Sequence, residues 1–363
     1  MRVSEIDTPA VIVDLDVMER NLRRVADYAR EHGLNLRPHT KTHKSPELGK
    51  RQLELGAVGL TVAKVSEAEV LVKAGPPELL VAYPLIGRRK LDRLTSLARE
   101  RRMMVALDNL EAARQLSDAA REARVEVGVL VEVDAGLNRV GVSPGDAVDL
   151  ARSVSRLPHV RYEGVTMYPG HVKALDEDGL RAIDAVGAMV DGLVAELKGA
   201  GLGPRVVSGG STPALFHSHR VKGWTEIRPG TYIFNDRNTV ACGACGWEDC
   251  AATVLCTVVS TARPGQMIID GGSKTFSSDR LATGGEPSFG KILEAPGAHF
   301  HKMNEEHGYV DMRRAERRFD VGDKVRVLMN HVCVVMNLHE HVYGVRGGEV
   351  EEVWTVAARG KLQ

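Results

Sequence analysis

The chain has 363 residues, enough for one large domain plus a smaller one, because a single hydrophobic core rarely grows past roughly 250–300 residues. Lysine plus arginine and aspartate plus glutamate both total 48, and no basic stripe of the kind that binds a phosphate backbone is visible, which argues against nucleic acid. No apolar run approaches the ~20 residues that cross a bilayer, and the N-terminus lacks the charged-then-apolar order of a signal peptide, so we expect a cytoplasmic protein with no membrane partner.

Short apolar runs alternate with segments of helical periodicity from residue 10 to about 235, a pattern typical of βα units around a parallel sheet. The first helix is predicted to be capped by Asp16 and to end at Gly33. Eight strand candidates follow, at 34–40, 57–63, 78–83, 103–108, 125–134, 161–168, 204–208 and 225–234. They predict a closed (β/α)8 barrel rather than an open doubly wound sheet, because no Gly-x-Gly-x-x-Gly turn follows an early strand.

Beyond residue 250 the pattern changes to strand-like runs divided by Gly, Pro and Asp. These runs are Ala252–Ser260, Gln266–Asp270, Lys324–Met329 and Glu351–Ala357. They predict a separate antiparallel β domain. The expected fold class is therefore α/β, with a (β/α)8 TIM barrel at 10–240 and a C-terminal antiparallel β domain at 241–363, to which we also assign residues 1–9.

The end of the first barrel strand is rich in cations and imidazoles, in the run Arg37-Pro38-His39-Thr40-Lys41-Thr42-His43-Lys44. Chemistry in a barrel gathers where strands end, on the C-terminal face. A lysine partly desolvated there, beside other cations, has its ammonium form disfavoured and becomes a usable amine nucleophile. We therefore single out Lys41, with a solvated surface cluster as the alternative.

A phosphate site is predicted from the loops after the seventh and eighth strands, where barrels often bind phosphate. Ser208–Pro213 holds two glycines that let the backbone approach and two hydroxyls that donate. Glu226–Tyr232 holds Gly230 and Thr231, which offer further donors. A Gly-Gly-Ser-Thr loop alone is often a plain turn.

A candidate metal pair lies near the C-terminus, in Asn330-His331-Val332-Cys333. If this segment is an extended strand, side chains two residues apart project from one face, so the imidazole and the thiol converge. Such a pair suits a divalent ion, zinc above all, completed by water or substrate. The alternative is a buried cysteine beside a hydrogen-bonded histidine.

The five cysteines do not form a disulfide framework, since their number is odd and they are spread over a long chain. Cys242 and Cys245 resemble half of a zinc ribbon, but no second Cys-x-x-Cys exists, so with Cys250 we interpret them as structural thiols.

Several motifs together resemble those of fold-type III pyridoxal-5'-phosphate (PLP) enzymes, specifically the D-threonine aldolase and eukaryotic-type D-serine dehydratase group. The resemblance covers essentially the whole chain. The motifs that carry it are Arg37–Lys44, Gly209–Pro213, Asp270–Lys274, Glu306–Gly308 and His331–Cys333. Alanine racemases share the barrel and the Asp-x-Gly-x-x-Arg-x-Gly segment, here Asp134–Gly141, but lack the histidine and cysteine pair, which argues against simple racemisation.

The resemblance implies residue roles. Lys41 would be the Schiff-base lysine, Arg139 would reach the phenolate oxygen of PLP, and Tyr168 would lie against the pyridine ring. The full set of candidate cofactor-binding residues is Lys41, Arg139, Tyr168, Gly209, Gly210, Ser211, Thr212, Arg228, Gly230 and Thr231.

The expected activity is a PLP- and metal-dependent retro-aldol cleavage of a D-3-hydroxy amino acid, with zinc or manganese at His331 and Cys333 acting on the 3-hydroxyl. Dehydration to a 2-oxo acid and ammonia is the alternative; a racemase and a PLP-binding protein without turnover are further ones. Candidate bases at the hydroxyl are His43 and His307, with His171 as a third, and each could equally be solvated or supporting. The resemblance also implies a homodimer.

Overall fold

The secondary structure alternates through most of the chain, in a computed structural model that describes residues 1–281 and 287–363. The strands are β1 (Ala10–Asp14), β2 (Asn35–Leu36), β3 (Leu60–Val62), β4 (Glu78–Val81), β5 (Arg102–Leu107), β6 (Val127–Glu132), β7 (Val160–Thr166), β8 (Val206–Gly209), β9 (Glu226–Ile227), β10 (Ala252–Ser260), β11 (Gln266–Ile269), β12 (Gly290–Ile292), β13 (His299–Met303), β14 (Gly308–Asp311), β15 (Lys324–Met329), β16 (His341–Arg346) and β17 (Glu349–Thr355). The α-helices are α1 (Leu15–Glu31), α2 (Pro46–Glu54), α3 (Val65–Leu71), α4 (Arg88–Ala98), α5 (Leu110–Ala123), α6 (Pro144–Ser155), α7 (Glu177–Gly199), α8 (Arg237–Ala241), α9 (Ser273–Phe276) and α10 (Val332–Leu338).

One compact unit comprises residues 24–41, 46–230 and 361–363. Its eight parallel strands pair in the order β2-β9-β8-β7-β6-β5-β4-β3. The two ends of this sheet also meet, because the amides of Val58 and Thr61 donate to the carbonyls of Leu36 and Pro38, and the Thr40 amide donates to the Thr61 carbonyl. The predicted closed barrel is confirmed, and an open doubly wound sheet is not formed.

The barrel interior contains both an apolar cluster and a group of buried charges. Leu80, Met104, Leu130 and Val206 form one buried apolar cluster. Elsewhere, Arg37 is buried and donates from Nε to Glu226 at 3.0 Å and from Nη2 to Glu78 at 2.9 Å. Buried charges of this kind are tolerated because each has a hydrogen-bonded partner.

The other compact unit comprises residues 1–23, 42–45 and 231–360. It contains a nine-stranded sheet whose main path runs β13-β14-β11-β10-β1-β16-β17, with β15 pairing β10 and β12. All of these pairings are antiparallel except that of β1 with β16. The predicted C-terminal antiparallel β domain is confirmed, whereas the boundary at residues 240 and 241 stays a prediction.

Two local expectations were wrong. The first helix begins at Leu15, two residues earlier than a cap at Asp16 implies, and the amide of Val17 donates to Oδ1 of Asp14, so Asp14 takes the capping role assigned to Asp16. The eighth strand is also shorter than 225–234, because it ends at Ile227 and Thr231–Ile233 forms a 3-10 turn. Among the helices that the structure describes, none combines the length and hydrophobicity that a bilayer crossing requires.

Candidate functional site

Three predicted residues come together at the carboxyl end of the barrel strands. Nζ of Lys41 lies 5.9 Å from the ring centroid of Tyr168. The guanidinium carbon of Arg139 lies 5.2 Å from the same centroid. Lys41 and Arg139 are exposed and Tyr168 is half-buried. Two cations therefore approach one aromatic ring, an arrangement that suits a planar anion bearing an electrophilic carbon.

The loop that carries Arg139 is held by two aspartates. Oδ1 of Asp134 accepts hydrogen bonds of 3.0–3.1 Å from three successive amides, those of residues 136–138. Oδ2 of Asp108 accepts a further bond, of 3.0 Å, from the amide of Gly141. Gly141 has a φ of +111°, and a Cβ there would meet the Asp134 backbone nitrogen at 2.5 Å, so only glycine closes this loop.

The predicted phosphate loop follows β8 as a backbone cradle. A Cβ on Gly209 would lie 2.2 Å from the Trp224 ring, and Gly210 has a φ of +85°. Ser211 and Thr212 are buried, and Oγ1 of Thr212 has no hydrogen-bond partner among the described residues. A buried hydroxyl without a partner is costly unless a ligand supplies an acceptor, so the cradle fits a phosphate group.

Arg228 is buried and hydrogen-bonds to Ser208, the residue of β8 that precedes the cradle. Its Nη1 donates to Oγ of Ser208, its Nη2 donates to the Met167 carbonyl at 3.2 Å, and Ser208 donates to Glu226 at 2.6 Å. Burial lowers the pKa of Arg228, while the nearby Glu132 and Glu226 carboxylates act against that shift. Arg228 is therefore a buried cation fixed by hydrogen bonds to β8 and to the residue that follows β7.

Sequence reasoning did not find Glu132, the last residue of β6. It is buried and stands in register with Thr166, which stands in register with Ser208. Burial raises the pKa of Glu132 to about 7, against the lowering effect of Arg228 and Arg139, and Asp108 raises it further. The sequence does mark this residue, because an acidic side chain in a Val- and Leu-rich strand is unusual unless it is paired.

His331 and Cys333 are brought together, but not by an extended strand as predicted. β15 ends at Met329, His331 is the N-cap of α10, and Cys333 lies in the first turn of that helix. Their side chains are nevertheless close enough that Cys333 acts on the pKa of His331. The two residues therefore stand at a helix start, and the extended strand expected for this segment is not formed.

Asp236 orients this pair, and sequence reasoning missed it. Its Oδ2 accepts from Nδ1 of His331 at 3.2 Å and from the Val332 amide at 3.0 Å. Its Oδ1 accepts from the Thr239 amide, so the same carboxylate caps α8. Because Nδ1 of His331 is engaged, Nε2 is left for a ligand, as in carboxylate–histidine–metal arrangements. An aspartate with threonine three residues later is a helix-start signal that could have marked it.

Two hydroxyls flank Cys333. Oγ1 of Thr42 lies 3.2 Å from Sγ, and Oγ1 of Thr231 lies 3.8 Å from Sγ. Burial acts to lower the pKa of His331, but the adjacent Cys333 and Asp236 side chains outweigh burial and raise that pKa to about 11. Across residues 1–281 and 287–363, no three or more His, Cys, Asp or Glu side chains are grouped to hold a metal.

The candidate bases differ in placement. His43 is buried, and its Nδ1 accepts from the Ser45 amide at 3.2 Å, so the neutral ring carries its proton on Nε2 and donates there. His307 is exposed. Nδ1 of His171 is buried without a hydrogen-bond partner in the described chain, and its ring lies against Gly136 of the Arg139 loop.

Comparisons with known proteins cover nearly the whole chain. The family model for the alanine racemase N-terminal domain matches residues 13–238, and that for a serine dehydratase domain matches residues 251–345. The 3-hydroxy-D-aspartate aldolase of Paracoccus denitrificans is 34% identical and aligns with 99% of this chain and 94% of its own. The crystal structure of D-threonine aldolase from Filomicrobium marinum is 34% identical, with a TM-score of 0.94 over 100% and 98% of the two chains.

A dehydratase is also similar. The structure of D-threo-3-hydroxyaspartate dehydratase from Delftia sp. HT23 is 30% identical, with a TM-score of 0.90 over 98% of both chains. A cysteine-to-alanine mutant of that dehydratase has been solved in a metal-free form.

Proposed function

Because the chain belongs to the family of fold-type III PLP-dependent enzymes that join an alanine racemase N-terminal domain to a serine dehydratase domain, we propose that it is a lyase cleaving D-3-hydroxy-α-amino acids to glycine and an aldehyde. The observation that best supports this activity is the full-length likeness to two aldolases, each at 34% identity. The convergence of Lys41, Arg139 and Tyr168 at the barrel mouth supports the cofactor.

The barrel residues fit the cofactor. The cradle at Gly209–Thr212 would bind its phosphate, with Gly230 and Thr231 as further donors, and Arg139, Tyr168 and Arg228 would contact its ring. When bound, PLP supplies a conjugated ring that accepts the electron pair of whichever Cα bond stands perpendicular to it. The choice of bond therefore falls to the residues that orient the substrate.

Lys41 would hold the cofactor covalently between turnovers through Nζ. Arg139, fixed by the Asp134 loop, would keep one ring edge in place, and Tyr168 would limit tilting of the ring. Nζ of Lys41 would also hold or return a proton at Cα of the substrate. In the aldol cleavage, that proton would complete the product glycine.

His331 and Cys333 would hold a divalent metal, with zinc favoured by the thiol and manganese as the alternative. Such an ion would lower the pKa of the substrate 3-hydroxyl. The hydroxyl of Thr42, the residue that follows Lys41 in the sequence, lies 3.2 Å from Sγ of Cys333.

A base must take the 3-hydroxyl proton when Cα–Cβ breaks. We retain His43 and His307 as candidates, with His171 as the third. The hydrogen bond from Ser45 leaves Nε2 of His43 as a donor, which favours a hydroxyl-orienting role for this residue unless the ring changes tautomer. Nδ1 of His171 has no hydrogen-bond partner among the described residues and could accept this proton.

Dehydration is the second candidate function, supported by the match of residues 251–345 to a serine dehydratase domain and by the Delftia structure. It needs nearly the same residues. Lys41 would remove the Cα proton, and the 3-hydroxyl would leave instead of being deprotonated. The products would be a 2-oxo acid and ammonia.

Analysis of the reaction products distinguishes the aldol cleavage from the dehydration. The purified protein is incubated with D-threonine, D-serine and D-3-hydroxyaspartate, and glycine plus aldehyde is scored against 2-oxo acid plus ammonia. We expect the first pair, loss of both turnover and bound-cofactor absorbance in Lys41→Ala, and loss of turnover after chelation. The second product pair would reassign the chain to the dehydratases, and accumulation of the enantiomer alone would make it a racemase.

We further propose a cytoplasmic homodimer, as the family resemblance implies. Sedimentation of the purified protein tests the oligomeric state.

A further inference from the structure

Arg237 is a half-buried cation with a free donor. It is the first residue of α8, and its Nη1 donates to Oγ of Ser288 at 2.7 Å and to Oδ1 of Asn330 at 2.8 Å. Its Nε is buried and has no hydrogen-bond partner within the described part of the chain. A guanidinium presents five N–H donors in a planar fork, so this one has capacity for a bidentate acceptor.

No carboxylate neutralises Arg237 among the described residues. Burial is the one cause that shifts its pKa, and the shift is downward, whereas Glu132 and Glu226 support the pKa of the buried Arg228. Arg37 likewise forms salt bridges with Glu226 and Glu78. A partly desolvated cation without an anion is costly, so Arg237, unlike Arg37 and Arg228, is in need of an external anion.

Arg237 flanks the candidate metal pair. It follows Asp236, whose carboxylate accepts from His331, and it hydrogen-bonds to Asn330, the residue before His331. Nδ2 of Asn330 is itself fixed, since it donates to the carbonyls of Asp279 and Ser288. The guanidinium is therefore held beside the residues that we assign to the substrate 3-hydroxyl.

We propose that Arg237 binds a carboxylate carried on Cβ of the substrate, so that the preferred substrates are D-3-hydroxyaspartate-type dicarboxylates. This inference rests on the proposed function. In the cleavage, the Cα–Cβ bond breaks, the hydroxyl proton leaves to the base, and Cα gains a proton to give glycine. The aldehyde released bears the carboxylate and is glyoxylate, so the substrate class also fixes the co-product.

The test compares kcat/KM for D-3-hydroxyaspartate and for D-threonine in the wild type and in Arg237→Met. A lost hydrogen-bonded charge contact corresponds to a change of about 10- to 100-fold, so we expect Arg237→Met to lose that much more kcat/KM for the dicarboxylate than for D-threonine, mainly through KM. Arg237→Lys should recover part of the difference. Equal losses on both substrates would overturn the proposal, because they would indicate a role toward the shared α-carboxylate or the fold.

A binding measurement gives a readout separate from turnover. Succinate and butyrate differ by one carboxylate, and neither has an amine, so we expect calorimetry to show tighter binding of succinate by the wild-type holoenzyme and no such preference in Arg237→Met. Absence of the preference in the wild type would overturn the proposal. If the wild type cleaves neither amino acid yet keeps the succinate preference, the proposed function fails and the Arg237 site stands.

A separate variant tests whether Arg237 forms an ion pair with a carboxylate of the chain itself. Glu286 is the one carboxylate in residues 282–286, which lie outside the described residues. We expect Glu286→Gln to keep the preference for the dicarboxylate. A loss matching that of Arg237→Met would assign the guanidinium to an ion pair within the chain and overturn the proposal.

Discussion

Individual buried polar side chains decide what this molecule can bind. Asp236 is fully buried, and its carboxylate both caps α8 and accepts a hydrogen bond from His331. Glu132, Thr166 and Ser208 stand in register on neighbouring barrel strands. Groups of this kind are retained in an interior only when partners or ligands satisfy them. Their contacts give the residue-scale tests.

Asp236→Asn should weaken metal binding without unfolding the protein. Asparagine still caps a helix, but it no longer offers a carboxylate to Nδ1 of His331, and loss of such an outer partner weakens metal affinity about 10- to 100-fold. Zinc titration of chelator-treated protein measures the effect. Asp249→Asn is the matched control, since Asp249 is a buried acid that accepts from the Gly246 amide. Equal affinities in the wild type and Asp236→Asn would refute the role.

Glu132 should make stability depend on pH. Its pKa is raised to about 7 in the folded protein, so between pH 4.5 and 7 the folded state holds a proton that the unfolded state releases. The free energy of unfolding therefore falls as pH rises through that window, by about 3 kcal/mol in total, and levels off above it. Urea unfolding of cofactor-free protein at pH 5 and pH 8 measures the change.

Glu132→Gln should remove that part of the slope, so its stability relative to wild type rises between the two pH values. Arg228, Arg139 and Asp108 act on this carboxyl group and remain present in the variant. Parallel pH profiles for the two proteins would show that Glu132 is not the group responsible.

Whole strands and helices were the most predictable level of the structure. All eight barrel strands were predicted because apolar runs of Val and Leu alternate with helical periodicity, and Ala252–Ser260 and Lys324–Met329 were found with their observed bounds. The prediction failed where polar contacts override local pattern, as at Asp14 and at Cys333. It also could not foresee that β1 pairs with β10 and β16, because strand pairing between distant segments leaves no local signal.

The Gly209 cradle gives the element-scale test. In Gly209→Ala the new Cβ would be driven toward the Trp224 ring, so we expect weaker PLP binding and a loss of about 1–3 kcal/mol in stability from overpacking. Gly192→Ala is the control, because that position lies within α7 in open space and should gain roughly 0.5–1 kcal/mol. Fluorescence titration with PLP and urea unfolding measure both. Unchanged PLP affinity in Gly209→Ala would argue against the cradle.

At the scale of the whole molecule, neither compact unit is a continuous stretch of chain. The barrel unit takes residues 24–41, 46–230 and 361–363, and the other takes 1–23, 42–45 and 231–360. Even the C-terminal residue takes part, since the Ser66 amide donates to the Gln363 carbonyl at 2.9 Å. A fragment cut at a single point therefore separates residues from their partners.

Two fragments test this organisation. A fragment of residues 1–240 retains β1 but removes both of its partner strands, whereas a fragment of residues 24–230 omits β1 and keeps all eight barrel strands. We expect the shorter fragment to unfold more cooperatively in urea and to expose less apolar surface to a hydrophobic dye. A more stable 1–240 fragment would favour the boundary predicted from the sequence.

The position of β1 in its sheet has a consequence for how the protein is made. The strand Ala10–Asp14 leaves the ribosome well before its two partners, because β10 begins at Ala252 and β16 at His341. At about 5–20 residues per second, the first of these partners emerges on the order of 10–50 s later. During that interval a Val- and Ile-rich segment has no native neighbour to pair with. Newly synthesised chains should therefore depend on chaperones that cover short apolar strands until β10 and β16 have emerged.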